Sequence, residues 1–165
     1  MHGGGNQTDG SRRWLDEREM RAWRSFIEIV EALLVDLDGD LLVDHGLTRG
    51  DYEVFVYLSE SPERSMRMCD LAVRLRLSPS GLTRRLDGLV KAGYVARTAC
   101  AADRRVTWAV LTPEGFQKLQ DSAPDHVASV RRHLLDHLTP AEMDGLANAF
   151  VAIKAGRASS RDAAA

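Results

Sequence analysis

Ser78, Ser80, Gly81, Thr83, Arg84 and Arg85 stand close together in the stretch LSPSGLTRRLDGLVKAGYV, Leu77 to Val95. Short hydroxyl side chains and a glycine let a backbone come near a polyanion. The hydroxyls donate to phosphate oxygens or base edges, and a guanidinium can grip a guanine through two parallel N–H groups. A second cationic pair, Arg104 and Arg105, follows in the run AADRR, and such a pair suits a narrow minor groove or the flanking phosphates. Asp103 carries the same sign as DNA, so its expected role is to orient one of these arginines. The chemistry these residue types share is non-covalent recognition of duplex DNA.

Charge distribution agrees with that reading although the total does not. The chain of 165 residues has a formal net charge of -2. Between Arg74 and Arg105, eight basic residues face two acidic ones, a local net of +6, and the remainder carries -8. A basic field on an acidic body fits a protein that docks a polyanion with one face.

Other chemistries find less support. His133 and His137 are four apart, with His126 seven residues before them, a spacing that can place zinc ligands on one helical face. HLLDH nevertheless lacks the Glu of a metalloprotease helix, and no Gly-rich phosphate loop or nucleophile elbow appears. A small enzyme built on His133 and His137 is therefore the weakest reading, and no cofactor is expected. Cys69 and Cys100 stand apart without a Cys-x-x-Cys spacing. Cys69 is expected on the buried side of a helix and Cys100 beside a hairpin, so both read as bland thiols; a metal- or redox-responsive regulator is the alternative. No apolar run is long enough to cross a bilayer, and a cytoplasmic location is expected.

The elements that must position the DNA-facing residues follow from periodicity and caps. Apolar residues from Trp23 to Leu41 recur at three- and four-residue steps, which predicts one long amphipathic helix between Trp14 and Leu42. Thr48 caps a second helix, roughly 49–60, and MCDLAVRLRL supplies a short third one. Ser78 as N-cap, Pro79 at the first helical position and Gly93 as a left-handed stop predict a fourth helix over about 79–92. Alternation in YVARTAC and RVTWAVL predicts a hairpin with AADRR at its tip. Thr112 and Pro113 open a fifth helix that is expected to kink near Pro124 and resume through HVASVRRHLLDHL. Thr139 with Glu142 opens a sixth that ends near Ala155. Residues 1–12 and 156–165 are expected to be disordered tails.

Two short helices, a tight turn and a charged hairpin make a winged helix-turn-helix. The segment from Met66 to Gly115 resembles the winged-helix region of the multiple antibiotic resistance regulator (MarR) family. It carries that family's Ser-x-Ser-x-x-Thr-Arg pattern, Lys-x-Gly-Tyr-Val exit, Asp-Arg-Arg tip and Leu-Thr-Pro-x-Gly helix start. The resemblance implies a mainly α fold, in which a two- to three-stranded β wing joins the winged helix-turn-helix lobe (48–112) and 13–47 with 113–155 form a helical dimerisation region. It further implies a homodimer on a pseudo-palindromic operator. The function implied is a transcriptional regulator, expected to be a repressor released by a small anionic or phenolic effector. The crevice for that effector is expected to be lined by Trp23, Phe26, Ile27, His45, Tyr52 and Phe55.

Overall fold

The computed structural model describes residues 13–99 and 106–162. Six helices and three strands follow one another as α1 (Glu17–His45), α2 (Arg49–Ser59), β1 (Ser65–Arg67), α3 (Met68–Leu75), α4 (Pro79–Lys91), β2 (Val95–Ala99), β3 (Thr107–Leu111), α5 (Pro113–His133) and α6 (Pro140–Asp162). Capping chemistry sets most of the starts. Asp16 with Glu19, and Thr48 with Asp51, form reciprocal capping boxes at α1 and α2. Ser78 and Thr112 each accept the backbone N–H of a glycine three residues on.

The strands form one antiparallel sheet in the order β1-β3-β2. The hairpin is thus backed by a third strand, β1, as the expected two- to three-stranded wing allows. Behind the sheet, Val54, Phe55, Leu58, Leu71, Leu82, Leu86, Val95 and Ala109 are all but fully buried in one cluster. Gly115 holds α5 against this lobe. A Cβ there would stand 2.1 Å from the Tyr94 carbonyl oxygen, which is why the Leu-Thr-Pro-x-Gly run ends in glycine. Thr112 ties the same corner by donating to the Gly93 and Tyr94 carbonyls at 2.7 and 3.0 Å.

The helix α5 is continuous through Pro124, where the proline removes one backbone donor. Two expectations need correction. The tail expected from 156 onward is helical through Asp162 as the end of α6, because Ala, Lys and Arg around 154–158 favour helix and no proline or stop intervenes. Finally, α5 ends at His133 with Leu134 in a non-helical conformation, and His137 falls in a separate 3-10 turn.

Candidate nucleic-acid interface

The helix α4 lies across the lobe with Leu82, Leu86 and Leu89 in the core, and this leaves Ser78, Ser80, Thr83 and Arg84 exposed and Gly81 half-buried. Ser78 Oγ accepts the Gly81 N–H at 3.1 Å and sits 3.1 Å from Ser80 Oγ. Thr83 Oγ1 donates to the Pro79 carbonyl at 3.0 Å. The first turn therefore presents hydroxyls and the Ser80 N–H at the positive end of the helix dipole. An open cleft of about 550 Å³ runs beside it, bounded by Thr48, Asp51, Leu77, Ser78, Ser80, Gly81, Arg84 and Arg85.

The two adjacent arginines diverge. Arg84 is exposed and, among the described residues, has no ion-pair partner. Arg85 turns back to the start of α2. Its Nη1 donates to Thr48 Oγ1 at 3.3 Å and lies 3.6 Å from Asp51 Oδ1, and its guanidinium covers Gly50 closely enough that a Cβ there would collide with it. Arg85, expected at the DNA face, lines the same cleft as Ser78, Ser80 and Arg84 while its guanidinium bonds the start of α2. Arg104 and Arg105 lie outside the described residues.

The start of α2 is anchored in turn from α1, because the Arg49 N–H donates to Asp38 Oδ1 at 2.6 Å. A cleft of about 320 Å³ opens where α1, α2 and α4 meet, lined by Asp38, Thr48, Arg49, Gly50, Glu53, Leu75, Leu77 and Arg85. The six residues expected to line one effector crevice are not gathered there or elsewhere. Trp23 and His45 are 22 positions apart on a single α-helix, about 33 Å at 1.5 Å per residue. Trp23 and Phe26 adjoin one another, with the Phe26 ring edge-on to Phe150 of α6 at 6.3 Å, and Ile27 is half-buried beside them. His45 bonds Asp125 at 3.0 Å. Tyr52 stacks on His126 at 4.4 Å. Phe55 is fully buried and meets Tyr94 edge-on.

Among the histidines and cysteines, Cys69 departs from expectation. His133 Nε2 is 2.9 Å from Asp40 Oδ2, which also takes Arg132 Nη2 at 2.7 Å and the Ser129 hydroxyl. The Ser129 bond, then His133 and Arg132, holds the Asp40 carboxyl below the usual range against the opposing effect of burial. His126 is pushed below its ordinary value by desolvation, and its Nδ1 is enclosed without a partner among the described residues. With α5 ended at His133, His137 no longer shares a helical face with it. Among the described residues no group of three or more His, Cys, Asp or Glu could hold a metal. Cys69 is exposed, not buried, on the first turn of α3, because Leu71 and Ala72 take the inward positions. Cys100 lies outside the described residues.

One side chain that reaches α4 entered the sequence reading only as part of the basic field. Arg97 of β2 bonds Asp87 and the Thr83 carbonyl on α4, each at 2.8 Å. Its position two residues after buried Val95, on the inward phase of a strand, was the available signal.

Known proteins share this architecture. A family model described as the MarR family matches residues 45–106. The crystal structure of AbsC, a MarR family transcriptional regulator from Streptomyces coelicolor, is similar with a TM-score of 0.81 and 41% identity, covering 89% of this chain and 99% of that one. Sco3205, a MarR family regulator of the same organism solved in complex with DNA, is similar with a TM-score of 0.80 and 37% identity over 87% and 93% of the two chains. The HTH-type transcriptional repressor MdtR of Bacillus subtilis (strain 168) is 32% identical over 110 residues, 67% of this chain and 69% of that protein. The chain spans about half the length, 51%, of another curated relative that it matches.

Proposed function

The chain belongs to the MarR family, whose matched members are transcriptional regulators and not enzymes, and from that premise we propose that it is a homodimeric, ligand-responsive repressor of a pseudo-palindromic operator. One observation carries the DNA-binding part: α4 is capped by Ser78 and buried along one side, and its opposite side exposes Ser80, Thr83 and Arg84. A helix of 13 residues fits a major groove, and Sco3205, solved with DNA, has a similar fold. Ser78, Ser80 and Gly81 bring the backbone to phosphate, and Thr83 and Arg84 face base edges. Arg104 and Arg105, which lie outside the described residues, are assigned to the minor groove or flanking phosphates. Arg85 braces α4 against α2.

The dimer is supported by α1 and α6. Among the described residues no helix is long and apolar enough to cross a membrane, yet Trp23, Ile29, Val35, Val43, Val151 and Ile153 are exposed on these two helices. A surface of that kind calls for a protein partner, and a second copy would set two α4 helices about 34 Å apart, one turn of DNA.

For the effector we place a small anionic or phenolic compound in the cleft between α1, α2 and α4, where Arg49 and Arg85 flank Gly50. An anion drawing Arg85 away from Thr48 and Asp51 would free α4 to tilt. A compound that prefers the tilted form about a hundredfold supplies roughly 2.7 kcal/mol, enough to release an operator held near its threshold. The test is a salt series of duplex binding with Arg84→Ala and His133→Ala in parallel. Affinity should fall with salt and drop in Arg84→Ala while His133→Ala stays close to wild type; equal behaviour of all three proteins would refute the reading.

A further inference from the structure

Strand β2 has an arginine where its alternation calls for an apolar side chain. Val95 and Arg97 share one face of β2; Val95 is buried, and the register sets Arg97 opposite Ala109, which is fully buried. The guanidinium reaches from there to α4. Nη1 donates to Asp87 Oδ1 and Nη2 to the Thr83 carbonyl, each at 2.8 Å, and Nε is enclosed without a partner among the described residues. Thr83 and Asp87 are four apart on α4 and therefore share a face, so a single fork grips two successive turns of the helix.

Stability alone does not account for this choice. The Asp87 side chain is 60% exposed, and a pair that open to solvent adds little. An apolar residue in the same place would fill the position at least as well, since replacing partly buried ion pairs by hydrophobic groups is often neutral or stabilising. A planar fork with two bonds adds direction, because it fixes both the distance and the angle between strand and helix. Thr83 lies beside Arg84 on the face assigned to DNA, and β2 is the first strand of the hairpin.

We propose that Arg97 is a positioning residue for DNA binding, locking the hairpin to α4 so that both reach the duplex in one register. This rests on the DNA-binding reading above. The experiment uses the full chain and a duplex that the wild-type protein selects from a randomised pool. Dimethyl sulfate then reports guanine N7 in the major groove, and hydroxyl radicals report sugars along the minor groove. Arg97→Met keeps an apolar stem on β2. It is expected to hold the wild-type melting temperature and N7 protection, to lose sugar protection from the hairpin, and to bind roughly tenfold more weakly. Arg97→Lys, with a point charge in place of a fork, should fall between the two.

Unchanged sugar protection in Arg97→Met overturns the proposal. So does an even loss of both protections in step with a lowered melting temperature, which marks a purely structural role. Should Arg97→Met not fold, Arg97→Lys decides: a selective loss of sugar protection supports the proposal and a wild-type pattern overturns it. If the wild-type protein selects no duplex, the DNA-binding reading falls and takes this inference with it. If it selects one and Arg97→Met protects it as wild type does, this inference alone falls.

Discussion

The winged lobe and the two helices that flank it have apolar surface in opposite conditions. In the lobe, Phe55, Leu58, Leu71 and Leu86 are sealed within one chain. Along α1 only Leu37 and Leu41 are buried, and α6 leaves Phe150, Val151 and Ile153 open. The lobe closes its apolar core within one chain, whereas the helical region leaves apolar stripes open. Where chemistry is needed the contrast reverses: the lobe leaves cations outward on α4, and the helical region uses its charges internally, with Asp40 binding Ser129, Arg132 and His133 across α1 and α5.

The widest break in that contrast comes from Trp23→Ser combined with Phe150→Ser. Each change removes about 1.5–3 kcal/mol of apolar burial, and a two-fold interface counts it twice. Sedimentation should show a monomer where the wild-type protein is a dimer. Phe55→Ala acts on the other region, costing about 3–5 kcal/mol in urea unfolding and leaving the surface of α1 and α6 as it was. A dimer that survives the first pair of changes would mean that these stripes are covered in some other way.

Arg84→Ala is smaller and acts on function only: about 1–3 kcal/mol of sequence-specific affinity with an unchanged melting temperature. Asp40→Asn should cost on the order of 1 kcal/mol, since its carboxylate is one-third exposed. Because the folded pKa of Asp40 is lowered, its contribution is whole above the ordinary value of 3.8 and is lost as pH falls through the lower folded value; urea midpoints across acid pH will register this. His126 is also lowered, from 6.5, so the unfolded chain takes up the proton first and stability declines as pH drops below that point. His126→Phe should flatten the decline.

The parts of this fold that local chemistry writes were legible before any coordinates. Ser78-Pro79 and Gly93 bracket α4, and Thr48, Thr112 and Thr139 mark three other helix starts. What could not be read depends on partners distant in the chain. The strand β1 has three residues and no pattern of its own; it exists because β3 offers Ala109 and Trp108 to Met66 and Arg67. Arg84 and Arg85 are chemically identical in sequence, and only the arrival of α2 gives Arg85 its bonds to Thr48 and Asp51. The residues expected around one aromatic crevice are spread out for a related reason: Trp23 and His45 share a helix stripe, and 22 residues of helix set them about 33 Å apart.

A single measurement bears on the central claim, that two copies of α4 read one duplex together. Wild-type protein should be used to select duplexes from a randomised pool at fixed salt and the recovered sequences aligned. The account predicts an inverted repeat with half-sites about one helical turn apart, roughly 10 base pairs; a single unrepeated motif, or no enrichment at all, would contradict it.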